Sequence, residues 1–462
     1  MMEYDTIAAI ATPIGTAGIS IVKISGPGAI EALERVFRAK NPKRDIHHIS
    51  SQSMVYGHVY DPGSGELVDE VLASVLRGPN SFTGEDVVEI NCHGGIQVTK
   101  AVLEILMRGG LRMADPGEFT RRAFLNGRID LTQVEGTIDL IHARTRRAAQ
   151  LGSQMLAHGI GDEIRRLGVC LKEVRTLVEA DIDFCDDLEE ECASPQILKR
   201  IEDELIPGVA NLVMRYHDGR ILREGLRVVL TGKPNVGKSS LMNKLLDQER
   251  VIVTDIPGTT RDIIEEGIVL DGMPIMLCDT AGLHNSDDPI DRIGQSKTKE
   301  ALQRAELILF MMDGSQATDG IDREIFDSIR GREYVVLRNK VDLVPDSARR
   351  SILDEMAVEE YLDISALNGT GLERLKERIK TAAHIDESAE AEALLPNQRQ
   401  WGLLTKGLSS LKAAIQFEKG MQCLDIVAFE LGECERCFNQ ILGENVETDV
   451  LDDIFRRFCI GK

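Results

Sequence analysis

With 462 residues the chain exceeds one ordinary hydrophobic core, so two or three domains are expected, and 43% hydrophobic residues exclude global disorder. Its 54 Lys and Arg are outnumbered by 76 Asp and Glu, and the formal net charge of -22 argues against extended nonspecific binding to nucleic acid or anionic lipid, while leaving room for a locally basic cleft. Nine cysteines, an opening stretch from Met1 to Thr12 with Glu3 and Asp5 but no basic n-region, and apolar runs no longer than segments such as Leu307 to Met312 predict a soluble, cytoplasmic chain with no membrane span.

In chain order, Thr6 to Ile10, Gly18 to Ile24, Leu72 to Leu76 and Val87 to Ile90 read as strands, and Ala29 to Arg38 and Ile96 to Met107 have helical spacing. Residues 1–120 are therefore expected to form an α+β domain. From Arg121 to about Gly225 the pattern is helical, with Leu131, Val134, Ile138 and Ile141 three or four apart. This stretch holds an acidic run, Glu179 to Glu191, with Asp181, Asp183, Asp186, Asp187, Glu189, Glu190 and Glu191. It reads as a solvated helix face or loop, the alternative being a site for a cation or a basic partner.

Strand and helix patterns alternate again from Leu226 to about Ala383. The strands are Val228 to Thr231, Ile275 to Cys278, Leu307 to Met312, Tyr334 to Arg338 and Tyr361 to Ile364. Asp386 to Ala393 is a compositionally biased exit linker, and Gln398 to Phe458 is helical. The expected fold is multidomain α/β plus all-α: a first domain at 1–120, a discontinuous helical domain at 121–224 and 384–462, and between its halves an inserted Ras-like P-loop module at 225–383.

Gly232-Lys-Pro-Asn-Val-Gly-Lys-Ser239 fits G-x-x-x-x-G-K-[ST] between a strand and a helical pattern at Leu241 to Leu246. In such a loop, backbone N–H groups around Asn235, Val236, Gly237 and Ser240 cradle phosphate, Lys238 reaches the β/γ phosphates and the Ser239 hydroxyl binds Mg²⁺. Asp279-Thr280-Ala281-Gly282 ends a strand, where Asp279 holds Mg²⁺ through water and the Gly282 N–H senses the γ-phosphate. Asn339-Lys340-Val341-Asp342 ends another. A carboxylate at Asp342 accepts two N–H groups that guanine presents and adenine does not, so the nucleotide is read as GTP. Ser365, Ala366 and Leu367 supply the backbone contact to the guanine carbonyl. Gly258-Thr259-Thr260-Arg261-Asp262 is the candidate first switch, with Thr260 closing on Mg²⁺ and γ-phosphate. Leu283 stands where Ras-type enzymes place a water-orienting Gln, so either a partner supplies groups or an acid among Asp287, Asp288 and Asp291 aligns water.

The phosphate loop, Asp255-Ile-Pro-Gly-Thr-Thr-Arg-Asp262, Pro116-Gly-Glu-Phe-Thr-Arg-Arg-Ala-Phe-Leu-Asn126 and the terminal Phe458-Cys-Ile-Gly-Lys462 together resemble the MnmE (TrmE) family of tRNA-modification GTPases, over the whole chain. The resemblance implies an N-terminal folate-binding and dimerising domain. It extends the GTP site to Thr254, Asp255, Ile256, Pro257 and Thr259, and places K⁺ beside the phosphates on Asn235, Thr254, Ile256 and Thr259. The family's catalytic Glu aligns with Asp291, shorter by one methylene, and His284 carries no assigned role. The resemblance also implies a 5-formyl-tetrahydrofolate or related one-carbon folate at Lys23, Glu89, Arg128 and Lys462, two of which exchange one cationic residue type for the other. Further implications are a homodimer, a GidA/MnmG-type flavoprotein partner in a heterotetramer, and tRNA as substrate, reached mainly through that partner. The rival class is a regulatory or ribosome-assembly GTPase without modification chemistry.

Val450, Leu451, Ile454, Phe455 and Phe458 form an apolar helical stripe, after which Cys459-Ile-Gly-Lys462 is expected to extend freely, with Cys459 either a nucleophile or simply packed. Cys434 and Cys437 form a lone C-x-x-C without the second pair or His spacing of a zinc site.

Overall fold

The computed structural model describes residues 5–183, 195–248, 250–252, 265–279, 299–344, 360–384, 394–421 and 424–462. Internal contacts divide the chain into two compact units, one of Met1–Ile138, Met155–Cys192 and Met421–Lys462, the other of Asp139–Gln154 and Ala193–Gly420. Among the described residues, no helix is long and apolar enough to cross a membrane.

In the first unit, β1 (Ile7–Ile10), β2 (Ile19–Ser25), β3 (Phe37–Ala39), β4 (Ser53–Tyr60), β5 (Leu67–Leu76), β6 (Val87–His93) and β7 (Arg112–Met113) form one sheet in the order β3-β4-β5-β6-β2-β1-β7. All neighbours are antiparallel except β1 and β7. One face is covered by the helices Ala29–Val36 and Ile96–Arg108, whose Ile30, Leu33, Val102 and Leu106 join Val22, Ile24, Val71, Ala73 and Ile90 in a common core. Period-2 alternation turns Lys23, between Val22 and Ile24, to the opposite face.

The helix expected to reach Arg38 stops at Val36, because Phe37 turns extended and pairs with Val59. In β4, which the sequence reading passed over, Gly57 faces inward. A Cβ there would lie 2.3 Å from the Arg38 carbonyl, so only glycine lets β3 approach.

The helix Glu118–Leu125 buries Arg122 to 2% exposure. Its guanidinium pairs with Asp5 at 2.9 Å, Glu118 at 2.9 Å and Glu85 at 3.2 Å. The helices Ile160–Asp183 and Leu424–Leu442 pack lengthwise, with Arg175 Nη1 donating to Glu435 Oε2 at 2.6 Å. Leu131 and Val134 pack with Ile454, Phe455 and Phe458, which places those three members of the expected C-terminal stripe in a core, with Leu451 at its edge and Val450 exposed.

In the second unit, β8 (Leu226–Thr231), β9 (Arg250–Ile252), β10 (Glu265–Leu270), β11 (Met273–Asp279), β12 (Leu307–Asp313), β13 (Tyr334–Asn339) and β14 (Tyr361–Asp363) form a sheet in the order β14-β13-β12-β8-β11-β10-β9. The five strands from β14 to β11 run parallel and β10 and β9 complete an antiparallel edge. Both faces are covered. Leu307, Leu309 and Met311 of β12 join one core with the helices Lys238–Gln248 and Leu372–Ala382, and Ile308, Phe310 and Met312 face the helix Gly320–Ile329 on the other side. That explains a continuous rather than alternating apolar run.

Helical segments from both sides of this α/β module meet. Tyr216 stacks on Trp401 with ring centroids 4.9 Å apart, and Arg223 Nη1 donates to the Pro396 carbonyl at 3.0 Å.

Removing the Arg122 cation leaves Glu85, 12% exposed, with the Ser25 hydroxyl, and takes one of two arginines from Asp5 and Glu118, which keep Arg112. Arg122→Met is expected to cost about 3–5 kcal/mol in urea unfolding followed by circular dichroism, and a loss below about 1 kcal/mol would mean the network is effectively solvated.

Candidate functional site

The phosphate loop leaves the C-terminal end of β8, where parallel strands present their ligand-binding edge. Gly232, at φ +145°, has its Cα against β12: a Cβ would stand 2.2 Å from the Met311 carbonyl. Asn235 is exposed at φ +62°, a left-handed conformation asparagine tolerates better than most residues. Lys238 is buried and its ammonium donates to the carbonyls of Gly232 at 2.8 Å and Lys233 at 2.7 Å. Burial lowers its pKa below the ordinary lysine value, with Asp279 pulling the other way. Ser239 Oγ donates to Asp279 Oδ2 at 3.1 Å, bringing together the two oxygen donors expected around Mg²⁺ from segments forty positions apart.

The base-side residues converge on the same end of the sheet. Asn339 is 3% exposed and spends its amide within the protein: Nδ2 donates to the Val236 carbonyl at 2.7 Å and Oδ1 accepts from the Ala366 N–H at 2.9 Å. Lys340, at φ +63°, donates to Asp313 Oδ2 at 2.6 Å. Asp342 lies exposed in the 3-10 turn Val341–Leu343, Ser365 is fully buried and Leu367 is 81% exposed. Thr254, Asp255, Ile256, Pro257, Gly258, Thr259, Thr260, Thr280, Ala281, Gly282, Leu283, His284, Asp287, Asp288 and Asp291 lie outside the described residues. So do the linker 386–393 and the acidic run beyond Asp183.

A second cluster forms in the first unit. Lys23 and Glu89 are cross-strand partners, their charged atoms 4.0 Å apart. The Lys23 ammonium sits over the rings of Phe82 and Phe119, 4.7 and 5.2 Å from their centroids. Burial lowers its pKa, Glu89 opposes that, and the nearby Lys462 lowers it further. Arg128 Nε donates to the Ser81 carbonyl at 3.1 Å, beside Phe82. All four residues expected at the folate site therefore gather round one loop and two strands.

The C-terminal tail differs from its expected free extension. Gly461, at φ +96°, is buried against β1, where a Cβ would meet the Ile10 carbonyl at 2.4 Å, and Lys462 N–H turns back to the Cys459 carbonyl at 3.4 Å. Cys459 is exposed, whereas Cys434 and Cys437 are buried, and among the described residues no group of His, Cys, Asp and Glu is arranged to hold a metal. Sequence reasoning missed the exposed Phe82, whose aromatic character alone did not separate it from core residues, the core residue Phe119 that backs Lys23, and Asp313, whose pairing with Lys340 crosses adjacent strands.

A mostly parallel sheet with this loop, an acid at the end of β11 and an N-K-x-D turn at the end of β13 defines a P-loop GTPase module within a larger chain. The family model described as "GTP-binding protein TrmE N-terminus" matches residues 6–128, and the one described as "MnmE helical domain" matches residues 131–459. The chain is 42% identical to "tRNA modification GTPase MnmE" of Carboxydothermus hydrogenoformans over 100% of both chains. It is 40% identical to proteins of the same name from Lactobacillus delbrueckii subsp. bulgaricus, covering 100% of this chain and 99% of that one, and from Thermoanaerobacter pseudethanolicus, covering 100% of both. The chain belongs to the MnmE family, and it is a GTP-hydrolysing enzyme of tRNA modification.

Asn339→Ala would leave the Val236 carbonyl and the Ala366 N–H without their partner. A GTP affinity at least about tenfold weaker is expected by calorimetric titration, together with about 1–3 kcal/mol of lost stability. A change in affinity below twofold would show that the loops hold their places unaided.

Proposed function

We propose that this chain, with a GidA/MnmG-type flavoprotein, installs an aminomethyl or carboxymethylaminomethyl group at C5 of the wobble uridine, position 34, of certain tRNAs, drawing one carbon from a formyl-tetrahydrofolate. The observation that carries this reading is the Lys23 cluster: a buried ammonium between two aromatic rings, with Arg128 and Lys462 near it, in the same chain as a GTP site. Its chemistry fits a folate, which pairs a flat ring system with carboxylates. The cations bind the anionic end, the exposed ring of Phe82 offers apolar area while the buried Phe119 backs Lys23, and Glu89 accepts from ring N–H groups. A regulatory or assembly GTPase has no use for such a cluster.

The domain limits under this reading are 1–120, 121–224, 225–383 and 384–462, with two copies joined as a homodimer, each bound to the flavoprotein in a heterotetramer that works in the cytoplasm and contacts tRNA mainly through that partner. Cys459 remains a candidate nucleophile on the strength of its exposure beside Lys462.

At the GTP site, Ser239 and Thr260 hold Mg²⁺, and the pairing of Ser239 with Asp279 supports this because hard oxygen donors suit that ion. K⁺ is held by Asn235, Thr254, Ile256 and Thr259, and the exposed, left-handed Asn235 leaves its amide oxygen available. When bound, these ions supply positive charge against the phosphates. Lys238 contacts the β/γ phosphates. Asp291 orients the attacking water, and G-domain dimerisation activates hydrolysis.

Titration of 5-formyl-tetrahydrofolate against the full chain is expected to saturate, with Lys23→Ala at least about tenfold weaker. Absence of saturable binding would sink the modification chemistry and favour the assembly class. In steady-state GTP hydrolysis, K⁺ is expected to exceed Na⁺ in rate, Asp291→Ala to lose at least about a hundredfold and Asp291→Glu to retain activity. Equal rates in the two salts would remove the K⁺ assignment, and an unimpaired Asp291→Ala would remove the water-orienting one.

A further inference from the structure

Lys233 occupies the first variable position of the phosphate loop, where a solvated side chain is the ordinary expectation. Its side chain is instead only 14% exposed, with Nζ 2.7 Å from Asp322 Oδ2 and 2.9 Å from Asp319 Oδ2. Burial works against the ammonium, yet the two carboxylates raise its pKa, so the tether stays ionic.

The anchor is built rather than incidental. Asp319 caps the helix Gly320–Ile329, Oδ1 accepting from Ile321 N–H at 3.0 Å and from Asp322 N–H at 3.2 Å, while Asp322 Oδ2 accepts from Asp319 N–H at 3.2 Å. The helix is fixed in turn by Phe326 and Ile329 in the core against β12 and β13. The Asp322 side chain is 3% exposed and its Oδ1 has no hydrogen-bond partner. A buried carboxylate with one oxygen unsatisfied relies heavily on the single cation at the other.

On its backbone side, Lys233 presents one of the two carbonyls that hold the Lys238 ammonium. We propose that Lys233 is a positioning residue for GTP: the clamp of Asp319 and Asp322 on its side chain fixes the carbonyl that seats Lys238 toward the phosphates. Lys233 itself touches no substrate in this scheme. The inference rests on the loop being the GTP site, which turnover by the unmodified chain tests separately.

Because Lys238 contacts the β/γ phosphates before and during reaction, misplacing it weakens both states together. KM then rises while kcat holds. With the full chain and GTP, Lys233→Met is expected to raise KM about tenfold with kcat within about twofold. Lys233→Arg, which keeps a cation within reach of both acids, is expected within about threefold of the parent KM. Asp322→Asn should reproduce the Lys233→Met effect, and the double variant should be no worse than either single one, since both cut the same tether.

An unchanged KM in Lys233→Met, an equal rise in Lys233→Arg, or additive effects in the double variant would each overturn the proposal. Should Lys233→Met fail to fold, Lys233→Arg and Asp319→Asn decide it: parent-like KM in the first with a measurable rise in the second supports the tether, and no rise in the second rejects it.

Discussion

One buried amide holds the phosphate-binding and base-binding halves of the GTPase module in register. Asn339 ends β13, and its side chain reaches the Val236 carbonyl inside the phosphate loop and the Ala366 N–H in the loop after β14. The parallel order β13-β12-β8 makes this possible by bringing the C-terminal ends of those strands to one edge. The constraint runs backwards as well. A Cβ on Gly237 would stand 2.3 Å from Asn339 Nδ2, so the second glycine of the phosphate loop is required by the guanine motif as well as by the phosphate. Two motifs that look independent along the chain are thus one structural unit, and neither is free to change alone.

In the GTPase module the strands most legible in the sequence were β8, β11, β12 and β13, continuous apolar runs buried on both faces, whereas β2 and β5 of the first sheet were read from alternation. The ones passed over have other signatures. β10 begins with Glu265, Glu266 and Gly267 and sits beside the sheet's edge strand, and β4 interrupts its alternation with Gly57 and His58. Arg122 read as one of two adjacent arginines within a family motif. Its burial depends on Asp5 and Glu85, carboxylates 117 and 37 positions away, which no local pattern announces. The tail erred in the other direction: glycine was taken as a source of freedom at position 461, whereas it is needed for a close approach to the Ile10 carbonyl.

The charge of -22 acquires a structural meaning from where the cations are spent. Arg122 is consumed by three acids, Lys340 by Asp313 and Lys233 by Asp319 and Asp322. Such cations contribute little to a broad positive surface, so the acidic excess argues against extended polyanion binding while leaving room for individual anion sites.

Lys238 and Lys23 differ from those three. Lys238 meets neutral carbonyls, and Lys23 meets aromatic faces and one acid at 4.0 Å. In both, burial lowers the pKa, which is the signature of a cation whose loss of water is incompletely compensated. An anion arriving at either lysine would supply the missing counter-charge and push the pKa back up. Under the proposed reading, these two lysines are where desolvation has been left for an anionic ligand to balance.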